Sequence, residues 1–99
     1  MKLQVSKRAA AQLQTAIDWW RENRGLAPRM LEEEAEQAFT ALKATPFVGI
    51  EARDVRTRGV RRLYLSKTQH FVYYRVDEKF GEVVVLRFWH TSRGRPPKL

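Results

Sequence analysis

Five residues in the second half of this chain have types that could act on a phosphate: Arg62, Tyr64, Arg87, His90 and Arg93. An imidazole with an ordinary pKa of about 6.5 can give or take a proton near neutral pH. A guanidinium can grip two phosphate oxygens at once, and a tyrosine ring can stack on a base. Together they hold the parts of a metal-free phosphodiester cleavage: a proton acceptor, a cation for the developing charge and a proton donor. A plainer reading competes with each. His90 closes a strand-like run, where a hydrogen-bonded residue would anchor the tail, and we take that reading first. His70 opens another run and reads as exposed and idle. Arg61, Arg62, Arg75, Arg87, Arg93 and Arg95 could simply solvate one face, although the first four fall within strands.

Three runs rich in β-branched and aromatic residues must position these groups: Gly59 to Leu65, His70 to Val76 and Glu82 to His90. Short polar gaps split them, so they read as three consecutive antiparallel strands. In the first, Leu63 and Leu65 share a face with Arg61, and Val60, Arg62 and Tyr64 share the other. In the second, Val72, Tyr74 and Val76 oppose Phe71, Tyr73 and Arg75. In the third, strict alternation sets Val84, Leu86, Phe88 and His90 against Val83, Val85, Arg87 and Trp89. With helices on one face of the sheet, the other is expected to be concave, mixed basic and aromatic, and open to a partner.

The first half supplies those helices. Lys2 to Val5 suits a brief edge strand. Ser6 is a good N-cap for a helix over Lys7 to Asn23, with Ala10, Leu13, Ile17 and Trp20 as its apolar stripe. Gly25 is expected to stop it in a left-handed conformation. Pro28 suits the first turn of a second helix that runs to Ala44, with a stripe of Leu31, Ala35, Ala38 and Leu42 and with Phe39 beside it. Its acidic cluster, Glu32, Glu33, Glu34 and Glu36, reads as a solvated face and not as a metal site, because hard cations need oxygens converging from several directions. Adjacent Trp19 and Trp20 cannot face the same way: one packs under the sheet and the other lies at its edge. Phe47 to Arg58 reads as a loop, long enough to hint at function. The tail, Thr91 to Leu99, reads as irregular, given Gly94 and Pro96-Pro97.

A chain of 99 residues makes one domain, here of the α+β class, with residues 91–99 as a short basic tail. Its net charge of +8 is one-sided: residues 1–54 hold eight basic and eight acidic side chains, whereas residues 55–99 hold eleven and three. Such a field attracts anionic partners, nucleic acid or an acidic protein segment. There is no cysteine, which rules out disulfides and thiolate metal sites and suits a cytoplasmic location. No signal peptide or membrane span is visible, so no membrane partner is expected. Two histidines twenty residues apart make no ligand motif, and no cofactor or metal is expected.

The chain resembles the RelE/ParE superfamily of toxins from bacterial type II toxin–antitoxin systems. The resemblance rests on Pro46 and Gly49 after the second helix, Gly59-Val60-Arg61-Arg62-Leu63 opening the meander, Tyr73-Tyr74-Arg75-Val76 closing its second strand, and Val85-Leu86-Arg87-Phe88-Trp89-His90 with Arg93. It implies a short N-terminal strand, an antiparallel helix hairpin and a three-stranded meander packed on the helices. It also implies a cognate antitoxin as partner, with operator DNA bound only through that antitoxin. Two activities are implied by the two branches. RelE-like toxins cut mRNA on the ribosome, and ParE-like toxins poison DNA gyrase. In RelE-like toxins the second meander strand opens Tyr-Arg-x-x-Tyr and a further tyrosine follows near the C-terminus. Here the arginine position is Phe71, a second basic position of the preceding strand is Tyr64, and no tyrosine follows Tyr74. The chain is therefore closer to the ParE branch. Toxicity and target binding are assigned to Arg87, His90, Arg93 and Arg95, and antitoxin binding to Trp19, Trp20, Arg61, Arg62 and Arg75. Arg62, Tyr64, Arg87, His90 and Arg93 remain the cleavage set of the alternative, a ribosome-dependent endoribonuclease.

Overall fold

Ser6 joins the two layers of the molecule. Its Oγ accepts the Ala9 N–H at 3.1 Å, which starts the first helix, and donates to the Leu86 carbonyl at 3.1 Å, which ties that helix to the sheet. The computed structural model describes residues 1–99. Its elements are strand β1 (Lys2–Val5), helices α1 (Lys7–Asn23) and α2 (Met30–Ala44), then strands β2 (Ile50–Glu51), β3 (Val60–Leu65), β4 (His70–Asp77) and β5 (Glu82–His90), and a 3₁₀ turn over Thr91–Arg93. The five strands form one sheet in the order β1-β5-β4-β3-β2. β1 lies parallel to β5, and the other pairs are antiparallel.

The helices cover one face. The α2 stripe of Leu31, Ala35, Ala38 and Leu42 is fully buried, because those positions recur every three or four residues along one side. Leu31, Ala38 and Leu42 share one core with Leu65, Val72, Tyr74, Val83, Val85 and Phe88 from the sheet. Each fully buried leucine or valine in such a core contributes roughly 1.5–3 kcal/mol over an exposed one. On α1 the buried alanine is Ala9 and not Ala10, which is exposed; Leu13, Ile17 and Trp20 pack against the core as expected. The α1 stop is made by Arg24, whose N–H reaches the Trp20 carbonyl at 2.8 Å. Gly25 does not adopt a positive φ. Pro28 precedes α2 instead of sitting in its first turn.

β3 and β4 alternate as their sequences require. β5 does not. Tyr73 pairs with Arg87 and Tyr74 with Val85, so Leu86 is an extra residue in the ladder. A bulge of this kind switches the faces of everything beyond it. Val83 and Val85 therefore face the helices together with Phe88, while Leu86 and Trp89 lie on the far side. Strict alternation along β5, expected from the sequence, fails at that one residue.

The far face is not open. Ala52, Val60 and Tyr73 form a second buried cluster, packed by Val55, Phe71, Leu86, Trp89 and Leu99. The β2–β3 loop and the tail roof it: Thr57 N–H donates to the Leu99 carbonyl at 2.9 Å and Trp89 Nε1 to the Arg95 carbonyl at 2.9 Å. The tail is thus docked, and it begins with a regular 3₁₀ turn. The segment Phe47 to Arg58, expected as a loop, also holds β2, two residues paired to Arg61 and Arg62. The mixed basic and aromatic surface that remains is the end of this face, beside β3 and the tail.

Candidate functional site

The bulge and the strand register decide which candidate groups meet. In an antiparallel ladder, residues opposite one another project to the same side. Tyr64 stands opposite Phe71 and Phe71 opposite Trp89. On this far face the Arg62 guanidinium lies 4.5 Å over the Phe71 ring and 3.6 Å from the Asp54 carboxylate. Its Nε is buried without a hydrogen-bond partner. The Tyr64 and Phe71 rings sit 5.4 Å apart, and Tyr64 is half exposed. Arg93 covers the Trp89 ring at 4.0 Å. Arg87 follows the bulge; it donates to the Leu86 carbonyl at 2.7 Å. Burial, and then the charge of Arg8, lower its pKa from the usual arginine range.

His90 belongs to the other face. It stands opposite His70, with ring centroids 4.8 Å apart. His70 is not the exposed residue expected from sequence: it is 6% exposed and stacks on Phe88 at 4.6 Å. Burial, then the neighbouring His90 charge, lower its pKa to about 4. At neutral pH it is uncharged. Its Nδ1 lies 3.2 Å from Thr68 Oγ1. That hydroxyl donates to Glu34 at 2.6 Å, and the same carboxylate accepts the Lys67 and Thr68 N–H groups at 2.8 and 3.0 Å. Glu34 is therefore a buried clamp on the β3–β4 turn and not part of a solvated acidic face. Its spacing from Leu31 and Ala38 places it on the α2 stripe, a signal the sequence contained.

His90 itself caps the 3₁₀ turn. Its Nδ1 accepts the Ser92 N–H at 3.0 Å and lies 2.7 Å from Ser92 Oγ. An accepting Nδ1 leaves the proton of the neutral ring on Nε2. This anchors the tail, as the plainer reading expected. His90 and His70 line a cleft of about 510 Å³ between α1 and the end of the sheet, with Trp19, Trp20, Arg24 and Arg93 also in its walls.

The five groups of the proposed cleavage set are thus divided. Arg62 and Tyr64 lie on the far face, and His90 lies on the helix face. Arg93 alone spans the two, lining the cleft while it stacks on Trp89. Arg87, His90, Arg93 and Arg95 all gather at the C-terminal end of β5 and the turn beyond it. The residues assigned to antitoxin binding fall on separate surfaces. Trp19 is 49% exposed, and Trp20 is partly buried with its Nε1 donating to the Ala27 carbonyl at 2.8 Å. Arg61 donates to the Gly49 carbonyl at 2.7 Å, Arg62 lies on the far face, and exposed Arg75 pairs with Asp77 at 3.6 Å. No three His, Asp or Glu side chains converge as a metal site, and no helix is long and apolar enough to cross a membrane.

Comparison with known proteins places this arrangement. The sequence model of the family described as ParE toxin of type II toxin–antitoxin system, parDE, matches residues 3–95. Among solved structures, the fold is similar to the chromosomal ParDE system from P. aeruginosa, with a TM-score of 0.70 and 24% identity over 91% of this chain and 95% of that one. It is similar to the RelBE2 toxin–antitoxin complex from Mycobacterium tuberculosis, with a TM-score of 0.64 and 26% identity over 90% and 95%. A YoeB/ParE toxin from Agrobacterium tumefaciens matches with a TM-score of 0.58 and 19% identity over 91% and 98%. No curated protein sequence matches. The family match takes in both helices and the whole sheet from Leu3 onward, and the chain therefore belongs to the ParE toxin family of type II toxin–antitoxin systems.

Proposed function

We propose that this chain inhibits DNA gyrase, stabilising a cleaved-DNA intermediate by binding and not by chemistry of its own side chains, and that a cognate antitoxin silences it. The division of His90 from Arg62 and Tyr64 across the sheet carries this reading. A phosphodiester seated on one face meets only part of an acid–base and phosphate-gripping set. Phe71, where RelE-like toxins carry an arginine, fills the space between Arg62 and Tyr64 and offers neither charge nor donor. Toxicity then belongs to the basic surface around Arg87, His90, Arg93 and Arg95. The antitoxin reading draws on the ParDE and RelBE2 systems to which the fold is similar. Because Trp19, Trp20, Arg61, Arg62 and Arg75 lie on separate surfaces, an antitoxin that touches them all must wrap the domain. Operator DNA would be bound through the antitoxin.

The likeness to the RelBE2 toxin, at 26% identity, favours a second reading: a ribosome-dependent mRNA endoribonuclease that uses Arg62, Tyr64, Arg87, His90 and Arg93. It requires transcripts cut only when ribosomes translate them. Supercoiling of relaxed plasmid by purified gyrase separates the two, with cleaved DNA scored after detergent and protease. Double-strand breaks that accumulate with toxin are the expected result. Gyrase unaffected by excess toxin, with transcripts cut in a translating extract, would reverse the order.

A further inference from the structure

We infer that the cleft between α1 and the end of the sheet is a binding site for a nucleotide unit, its phosphate held by Arg24 and Arg93 and its base set among the ring walls. This goes beyond the gyrase reading and does not rest on it.

The charges in this cleft lack partners within the chain. The four ion pairs of the molecule engage Arg21, Arg53, Arg62 and Arg75. Arg24 and Arg93 engage none. Instead each guanidinium lies within cation–π range of indole: Arg24 at 5.1 Å from the Trp19 ring and 5.6 Å from the Trp20 ring, Arg93 at 4.0 Å from the Trp89 ring. All three tryptophans of the chain are used in this way. A contact of this kind is made through the charge and uses none of the guanidinium N–H donors. Arg24 makes one long hydrogen bond, 3.4 Å to the Asn23 carbonyl, so most donors of both groups remain unspent. No carboxylate lines the cleft. Two guanidinium forks in one cleft with no internal anion are suited to an oxyanion from outside.

The size and the walls narrow the ligand class. About 510 Å³ lies within the usual range of small-molecule pockets, about 300–1,000 Å³, and far exceeds the needs of a bare phosphate. The surplus is walled by Trp19, half exposed, and by the imidazole of His90, whose Nδ1 is spent on Ser92. That leaves the ring and its Nε2–H for a ligand. Flat rings beside paired cations suit a base attached to a phosphate, because a base stacks on an indole or on a guanidinium plane. The same chemistry arises in a free mononucleotide and in one residue of a single strand.

Titration calorimetry on the purified full chain tests this, with AMP, adenosine, inorganic phosphate, a 5′-phosphorylated tetranucleotide and a glutamate-rich peptide as probes. Saturable binding of AMP is expected, with adenosine and phosphate each at least tenfold weaker. Arg24→Ala and Arg93→Ala should each weaken AMP at least tenfold. Ala16→Trp, which fills the cleft without removing a charge, should abolish it; circular dichroism verifies that each variant is folded. A tetranucleotide that binds at least tenfold more tightly than AMP identifies a strand as the source, and equal affinity identifies the free nucleotide. The proposal is overturned if AMP and the tetranucleotide show no saturable binding. It is also overturned if folded Arg24→Ala and Arg93→Ala bind as the parent does, or if only the acidic peptide binds. Because no gyrase is present, none of these outcomes bears on gyrase inhibition.

Discussion

Two buried polar residues hold the site end of the sheet in place. Glu34 accepts three hydrogen bonds from the β3–β4 turn. Removing the carboxylate leaves those donors without a partner, and unsatisfied buried groups cost about 1–3 kcal/mol each when water cannot replace the lost acceptor. Glu34→Ala is expected to lower unfolding free energy by roughly 2–4 kcal/mol in urea titrations, while Glu36→Ala, on the exposed side, changes it by under about 0.5 kcal/mol. His70 makes stability depend on pH. Its folded pKa, about 4, lies below the unfolded value of 6.5, so the unfolded chain binds the proton more readily. The full contribution is therefore present above about pH 6.5 and declines as pH falls toward 4, by roughly 3 kcal/mol at most. Chemical denaturation from pH 7.5 to 4.5 should show this decline, and His70→Gln should flatten it. Neither residue was read correctly from sequence. Acidic and imidazole side chains are usually solvated, and the partners here are brought together from distant parts of the chain. The helical spacing of Glu34 was the one local sign.

At the scale of elements, regular spacing was legible and its interruptions were not. The α2 stripe is the buried stripe because Leu31, Ala35, Ala38 and Leu42 fit one helical side without exception. β3 and β4 alternate as written. β5 departs at Leu86, since a bulge depends on how two strands pair and leaves no mark in a run of Val, Leu and Phe. That one residue puts Phe88 and His90 on the helix face and so separates His90 from Arg62 and Tyr64. The docked tail was equally hidden: Gly94, Pro96 and Pro97 forbid regular structure without forbidding packing. Gly49 shows how the β2 loop is tied to the sheet. Its N–H donates to the Tyr74 hydroxyl at 2.8 Å, and an added Cβ would stand 2.6 Å from that oxygen and 2.7 Å from the Arg62 carbonyl. Gly49→Ala is expected to cost roughly 1–3 kcal/mol, and Tyr74→Phe a similar amount through the unpaired N–H. Because Tyr74→Phe also removes one of the atoms that the new Cβ would strike, the double variant should lose less than the sum, a coupling that a double-mutant cycle measures.

At the scale of the whole molecule, the fold is a helix-backed sheet whose second face is partly roofed by its own loop and tail. Removing residues 95–99 takes away the Arg95 carbonyl, Pro97 and Leu99 from that roof. We expect the truncated chain to remain folded, since the main core lies on the other face, with Tm lowered by several degrees and faster hydrogen exchange confined to the β2–β3 loop and the Trp89 indole. Loss of all cooperative unfolding would show instead that the far-face cluster is essential to the fold. The excess of positive charge in residues 55–99 was visible from composition, but its division between two faces needed the register. The separation of His90 from Arg62 and Tyr64 across the sheet is central to the functional proposal, because it is the observation that favours a binding toxin over a nuclease. The most direct test is the trapping of covalent gyrase–DNA complexes in cells induced for the toxin, read by immunoblot of gyrase on purified DNA. The account predicts that gyrase accumulates on DNA before growth stops, and that co-expressed antitoxin prevents it. Growth arrest with no trapped gyrase, accompanied by cut transcripts on translating ribosomes, would contradict it.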